Sequence, residues 1–309
     1  MRTRTGGALA AALTLTLALT ACGANSDPLS SDAGDSSASP STVTIGSANF
    51  AESELLAEIY AQALEAKNVK VKRQFNIGAR ELYLKALQDG SIDLLPEYNG
   101  ALLSALAKGG APQGVSSPDD VLAALKKVLP AGTEVLDQSA AEDKDTLTVT
   151  QATATKYHLK TIADLAPVAG KLSVGAGPEW QERYQGLKGL KSVYDTQFKT
   201  FRPLDAGGPL TLTALLKGQI DVGNIFSTDS AITTDKLVVL DDPKNLFLAE
   251  NILPLIRTQA DNPTVSGALN AVSAKLTTEN LTTYLAKVQV DKQDSAAVAK
   301  SFLADNGLS

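Results

Sequence analysis

Two aromatic rings at matched positions are the residues of this sequence best placed to do chemistry. The segment from Ala86 to Tyr98 can be laid over that from Ala214 to Phe226, matching Gly90 with Gly218, Ile92-Asp93 with Ile220-Asp221, and Tyr98 with Phe226. Each copy reads as a helix end, a glycine stop and a buried strand finished by a ring. In open α/β sheets a ligand is met beyond the carboxyl ends of the strands, so the two rings are expected to face one cleft. Core packing is the alternative for either ring, and the matched positions favour the cleft. Arg80, after Gly78-Ala79, and Arg183, four residues after Glu179, are the cations to expect near it, although Arg183 could simply pair with Glu179 on a helix. A second chemistry would use two carboxylates such as Glu97 and Asp145, since glycosidase-like hydrolysis needs only two acids about 5–9.5 Å apart, but no spacing in the sequence sets such a pair.

Other chemistries are closed off by composition. The 309 residues contain one Cys and one His, which excludes a disulfide framework, a cysteine-rich metal site and Cys/His catalysis beyond Cys22 itself. No Ser is framed as G-x-S-x-G, and His158 reads as a surface residue. Gly175-Ala176-Gly177-Pro178 and Gly207-Gly208-Pro209 fit neither a phosphate loop nor a dinucleotide fingerprint, and read as turns that let the backbone approach a cleft. With 28 Lys and Arg against 34 Asp and Glu the net charge is −6, so nucleic acid is not an expected partner. A composition of 44% hydrophobic and 20% charged residues is that of a globular chain long enough for two domains.

The elements that must position the rings alternate strand and helix. Val43-Thr44-Ile45 reads as a strand and Glu52 to Lys67 as a helix with Leu55, Leu56, Ile59, Tyr60, Ala63 and Leu64 on one stripe. Val69 to Phe75, Arg80 to Gln88 and Ile92 to Leu95 follow as strand, helix and strand. The rhythm returns with a strand at Leu172 to Val174, a helix near Glu179 to Leu187, a strand at Phe198 to Arg202, a helix near Leu210 to Lys217 and a strand at Ile220 to Ile225. Asp143 to Thr150 and Asn251 to Arg257 read as the strands by which the chain leaves one lobe and returns. The expected division is 42–141 with 257–309 in the first lobe and 142–256 in the second. Helical spacing from Asn262 to Leu303 is expected to pack on the first lobe, with Val298, Phe302 and Leu303 in its last turns. Ser227-Thr228-Asp229 should open a helix, as N-caps that leave backbone N–H groups for a ligand. Glu52-Ser53 at the first helix start reads first as a complement to the helix dipole.

Ahead of these lobes, Arg2 and Arg4 precede an uncharged apolar stretch from Ala8 to Ala21, the layout of a secretory signal peptide over 1–21. Fourteen helical residues reach about 21 Å at 1.5 Å each, short of the roughly 30 Å hydrocarbon core. Leu19-Thr20-Ala21-Cys22 resembles the lipobox of bacterial lipoproteins, which implies that Cys22 is lipidated and anchors the chain on the extracytoplasmic face of the cell membrane. Residues 22–41, poor in apolar side chains, then read as a flexible tether.

Four segments carry a further resemblance: Ile45-Gly46-Ser47-Ala48-Asn49-Phe50-Ala51-Glu52-Ser53; Gly90-Ser91-Ile92-Asp93 running into Pro96-Glu97-Tyr98-Asn99-Gly100; Lys160 to Leu165; and Phe226-Ser227-Thr228-Asp229. Together they resemble the ProX-like substrate-binding lipoproteins of osmoprotectant ABC importers, over essentially Thr42 to Leu308. The resemblance implies an α/β, two-lobed type II periplasmic-binding-protein fold with a ligand cleft between the lobes. It also implies a monomer that binds a quaternary ammonium solute such as glycine betaine, choline or carnitine and delivers it to the membrane subunits of an ABC permease, with no cofactor, no metal and no catalysis. The family boxes a trimethylammonium head in aromatic rings. Tyr98 matches one family cage ring and Phe226 stands for another. A third falls at Asp145 and a fourth near Leu212, where this chain has no ring, and a Gln of many relatives stands as Ala48 beside Asn49. Trp180, Tyr184 or Phe50 could supply rings while Asp145 meets the cation, or the pocket could take a non-quaternary solute; Asp145 as a surface residue of a hinge strand is the third option. The residues expected to bind ligand are Ser47, Asn49, Arg80, Tyr98, Asn99, Asp145, Trp180, Arg183, Phe226, Ser227 and Thr228. A surface enzyme and an adhesion or sensor module that has lost transport are the other classes left open.

Overall fold

The structure, a computed structural model, describes residues 42–107, 110, 112 and 114–309. The expected signal peptide, the Cys22 lipidation site and the tether lie outside the described residues. Among the described residues no helix is long and apolar enough to cross a membrane.

The chain begins with β1 (Val43–Gly46), α1 (Ala51–Glu65), β2 (Val71–Gln74), α2 (Arg80–Asp89), β3 (Leu94–Tyr98), α3 (Asn99–Leu106), α4 (Pro118–Lys126) and β4 (Thr133–Val135). It crosses to β5 (Asp145–Val149), α5 (Gln151–Tyr157), β6 (Ser173–Ala176), α6 (Gly189–Tyr194), β7 (Thr200–Pro203), α7 (Pro209–Leu216), β8 (Val222–Phe226), α8 (Ala231–Thr234) and β9 (Val238–Val239). It returns through β10 (Ile252–Arg257) to α9 (Pro263–Ser273), α10 (Thr278–Gln289) and α11 (Ser295–Asp305).

Two five-stranded sheets result, ordered β2-β1-β3-β10-β4 and β7-β6-β8-β5-β9. They share one plan. In each, three strands run parallel, and a fourth that has just crossed from the other lobe runs antiparallel to the third, β10 along β3 and β5 along β8. The repeat is built by matched contacts. Gly90 and Gly218 turn the chain at φ 81° and 65°, where a side chain would be strained. Asp93 Oδ2 accepts the Thr44 N–H at 2.9 Å, and Asp221 Oδ2 accepts the Ser173 N–H at 2.8 Å, so each aspartate satisfies a backbone donor of the neighbouring first strand. Ile92 and Ile220 press on Gly46 and Gly175, where an added Cβ would lie 2.7 Å from either Cδ1.

The stripe of α1, with Leu55, Leu56, Ile59 and Tyr60, is buried against Val265, Leu269, Val298, Phe302 and Leu303, so α9 and α11 roof the first lobe. Leu147, Val174, Trp180, Leu190 and Phe247 belong to the core of the second.

Three expectations change. Residues 252–256, expected in the second lobe, form β10 inside the first sheet, because Leu253 and Leu255 pair with Glu97 and Leu95; the return crossing therefore lies before Asn251, where Asn251 bridges Glu142. The single helix expected from Glu179 to Leu187 is two pieces, a 3₁₀ turn at Pro178–Gln181 and a wide turn at Tyr184–Lys188, because Gly186 lies against the Trp180 carbonyl with φ −147° and ψ −144°. Ser227 and Thr228 do not cap a helix. The N-cap is Ser230, whose side chain makes no cap bond; Asp229 before it accepts from the Ala231 N–H, while the two hydroxyls bond across the hinge.

Candidate functional site

The two repeat strands end at an interlobe cavity of ≈ 60 Å³, room for about four to six waters. The first lobe contributes Asn49 and Phe50 from the β1–α1 loop, Arg80 and Tyr83 from the first turns of α2, and Tyr98 from β3. The second lobe contributes Glu179, Trp180 and Arg183 from the loop after β6, with Asn224 and Phe226 from β8. Asp143, Asp145 and Glu250, on the two crossings, complete the wall.

Phe50 joins the matched rings. Its centroid is 6.1 Å from Tyr98 and 5.1 Å from Phe226, so three rings form one run across both lobes. The Tyr98 hydroxyl donates to Glu52 Oε1 at 2.7 Å, and Thr228 Oγ1 donates to Glu52 Oε2 at 2.6 Å, so one buried carboxylate ties the ring of one lobe to the loop of the other. Trp180 is 3% exposed, and its indole N–H is buried without a partner.

Both guanidiniums in the wall are already chelated. Arg80 Nε and Nη2 donate to Glu97 at 2.9 and 3.1 Å, and Glu97 also accepts from the Tyr83 hydroxyl at 2.7 Å and the Tyr98 N–H at 2.9 Å. Arg183 Nε and Nη2 donate to Glu81 of α2 at 3.0 and 2.9 Å, an ion pair that bridges the lobes, with Glu179 farther off at 3.9 Å. The remaining acids have softer partners. Asp145 Oδ1 accepts from Asn224 Nδ2 at 2.7 Å, and Glu250 accepts from Gln185 Nε2 at 2.6 Å and the Asp145 N–H at 3.2 Å. Asp143 accepts from the Thr228 N–H at 3.0 Å and Ser227 Oγ at 3.2 Å.

Burial first, and then mutual repulsion, sets their protonation. Burial pushes Asp143 and Glu250 well above the ordinary carboxylate range, and the charges of Glu52 and Asp145 respectively push them further. Burial also raises Glu52, against the hydrogen bonds from Thr228 and Tyr98. Burial raises Asp145, which the Asn224 amide and the charges of Arg183 and Arg80 draw back down.

Of the residues expected to bind ligand, Asn49, Arg80, Tyr98, Asp145, Trp180, Arg183 and Phe226 meet in this wall. Ser47, Asn99, Ser227 and Thr228 do not. Ser47 Oγ accepts the Asn76 N–H and donates to the Ala48 carbonyl, shaping the first loop. Asn99 accepts from the Gly100 and Asn251 N–H groups and donates to Gln138, locking α3 to the return crossing. Ser227 and Thr228 hold the hinge acids. Arg183 pairs chiefly with Glu81, where the sequence suggested Glu179. Leu212 packs against the Ala214, Leu215 and Ile220 cluster. Sequence reasoning passed over Tyr83, Asp143, Asn224 and Glu250 as wall residues. Only Asn224 carried a signal, its place two residues before the ring that ends β8.

Comparisons with known proteins agree with this architecture. A family model described as the substrate binding domain of ABC-type glycine betaine transport systems matches residues 41–305. A carnitine transport binding protein of Listeria monocytogenes is 28% identical over 276 residues, 87% of this chain and 88% of its own. An ergothioneine transport permease/ergothioneine binding protein of Helicobacter pylori is 28% identical over 262 residues, 83% of this chain but 46% of its own longer chain. A crystal structure described as a glycine betaine/carnitine/choline ABC transporter superposes with a TM-score of 0.66 at 26% identity, covering 86% of this chain and 99% of that one.

Proposed function

We propose that this chain, which belongs to the family of substrate-binding domains of ABC-type glycine betaine transport systems, is an extracytoplasmic receptor that closes over one small quaternary ammonium solute and presents it to an ABC permease. The observation that carries this reading is the run of Phe50, Tyr98 and Phe226 across both lobes, facing a wall that includes Asp145. Ring faces attract a cationic head by about 0.5–2 kcal/mol, and a carboxylate beside them adds a charge partner that a neutral solute could not use. The ring run takes residues from both lobes, so a ligand held there stabilises the closed arrangement by its differential affinity for it. A permease reading the closed form would then read occupancy.

Binding without turnover fits the same geometry. Glu97, one of the acids considered for hydrolysis, is engaged by Arg80, Tyr83 and the Tyr98 N–H and is not among the residues lining the cavity with Asp145. A lipid on Cys22 followed by the 22–41 tether would hold the receptor near its permease, as a monomer. Titration calorimetry of the full-length chain with choline, glycine betaine and carnitine, and with a neutral sugar as control, tests the reading. Micromolar binding of at least one cation, with the solute recovered unchanged, is the expected result. Heat from none of them, or a chemically altered solute, would overturn it.

A further inference from the structure

The cavity is unusually acidic for a chamber with two arginines in its wall. Asp143, Asp145, Glu179 and Glu250 line it against Arg80 and Arg183. Neither guanidinium offers an uncommitted charge, because Glu97 and Glu81 each grip one of them through two hydrogen bonds from just outside the wall. A fork already filled by a carboxylate is a poor receiver for a second. The side-chain hydrogen-bond partners of Asp145 and Glu250 are amides, which orient a carboxyl group and bring no charge of their own. Among the described residues no group of three or more His, Cys, Asp and Glu side chains could hold a metal ion. Three rings, Phe50, Tyr98 and Phe226, line the same cavity as these acids.

Building on the receptor reading, we infer that this cavity selects small organic cations that carry no carboxylate over zwitterions that carry one. A trimethylammonium head gains from rings and acids alike. A carboxylate tail in the same small chamber meets acids on the hinge side and arginines whose charge is already balanced, so its desolvation is not repaid. Asp145, the wall acid that pairs in register with Phe226 across β5 and β8, is the one we assign as the discriminator.

Choline and glycine betaine make the test, since they share the head and differ in alcohol against carboxylate. The full-length chain is expected to bind choline at least about tenfold more tightly than glycine betaine, a ratio that Asp145→Asn should compress to less than about threefold by weakening choline. Glu250→Gln serves as a second variant if Asp145→Asn fails to fold. Glycine betaine binding as tightly as choline, or more so, would overturn the selectivity while leaving the receptor reading standing. An unchanged ratio in folded variants would overturn the assignment to the acids, and silence from every cation in wild type would overturn this inference together with the receptor itself.

Discussion

Tyr98 and Phe226 are equivalent in the repeat but not in what they hold. Phe226 is half-buried and meets only another ring among aromatic neighbours, Phe50, whereas Tyr98 is 6% exposed and its hydroxyl is one of two donors to the buried Glu52 carboxylate. Phe226→Ala is therefore expected to weaken cation binding by about 1–3 kcal/mol, through lost ring attraction and lost burial, with little change in melting temperature. Tyr98→Phe keeps the ring and removes the donor. It is expected to cost about 1–3 kcal/mol of stability while leaving affinity within a few fold, because a buried carboxylate loses a partner. Calorimetry paired with thermal unfolding separates the two, and the reverse pattern would show that Tyr98 and not Phe226 carries the ligand. Trp180 adds a related point: a buried indole N–H without a partner is a donor that a neutral oxygen of the ligand could satisfy.

At the scale of elements, the motif glycines have separate explanations. Gly100, at the second position of α3, lies under the return crossing, where a Cβ would enter the space of the Ala249 carbonyl oxygen and sit 2.8 Å from Leu248 Cβ. Backbone cannot step aside as a flexible side chain can. Gly100→Ala is thus expected to destabilise by about 2–3 kcal/mol, roughly 4–12 °C in melting temperature. Gly267→Ala, inside α9 with nothing within 4 Å of its Cβ position, should be neutral or stabilising by up to about 1 kcal/mol. Equal effects in differential scanning would remove the steric account. These local roles explain what was legible in the sequence. The helix-stopping glycines and the Ile-Asp pairs each do their work within a few residues or against the adjacent strand, so their types and spacing record it. The Arg183–Glu81 pair, the Glu250–Gln185 bond and the hinge roles of Ser227 and Thr228 join residues far apart in the chain, and no periodicity marks them. The break at Gly186 was hidden for a related reason: the surrounding residues suit a helix, and only the approach to Trp180 forbids it.

Across the whole molecule, the hinge acids couple ligand to pH. Asp143, Asp145, Glu52 and Glu250 are all raised on folding, from 3.8 for Asp and 4.5 for Glu, by burial first and against the pull of Arg80 and Arg183 on Asp145. A carboxyl raised in this way keeps its proton in the folded state where the unfolded chain has lost it. The folded state then binds more protons, so stability declines as pH climbs from the ordinary carboxylate range through the raised values. A cation in the cavity favours the ionised acids and offsets the decline. The melting-temperature increase produced by saturating choline is therefore expected to grow as pH rises above the ordinary carboxylate range. Asp164, held low by the Thr161 and Lys160 N–H groups, lies away from the cavity wall and cancels in that difference. An increase that is flat with pH would mean that the hinge acids do not respond to the ligand.

The position of β10 between β3 and β4 has a consequence for how the molecule comes into being. Every strand of the second sheet lies in one continuous stretch, from Asp145 to Val239, whereas the first sheet leaves β4 without its neighbour until Ile252–Arg257 arrives. Its roof comes later still, with Phe302 of α11 closing over Leu55 and Ile59. When a chain is made or threaded from its N-terminus, segments complete in the order in which their partners emerge. The lobe that starts first is thus the last to finish, and its apolar helix α1 waits for the far end of the polypeptide to cover it.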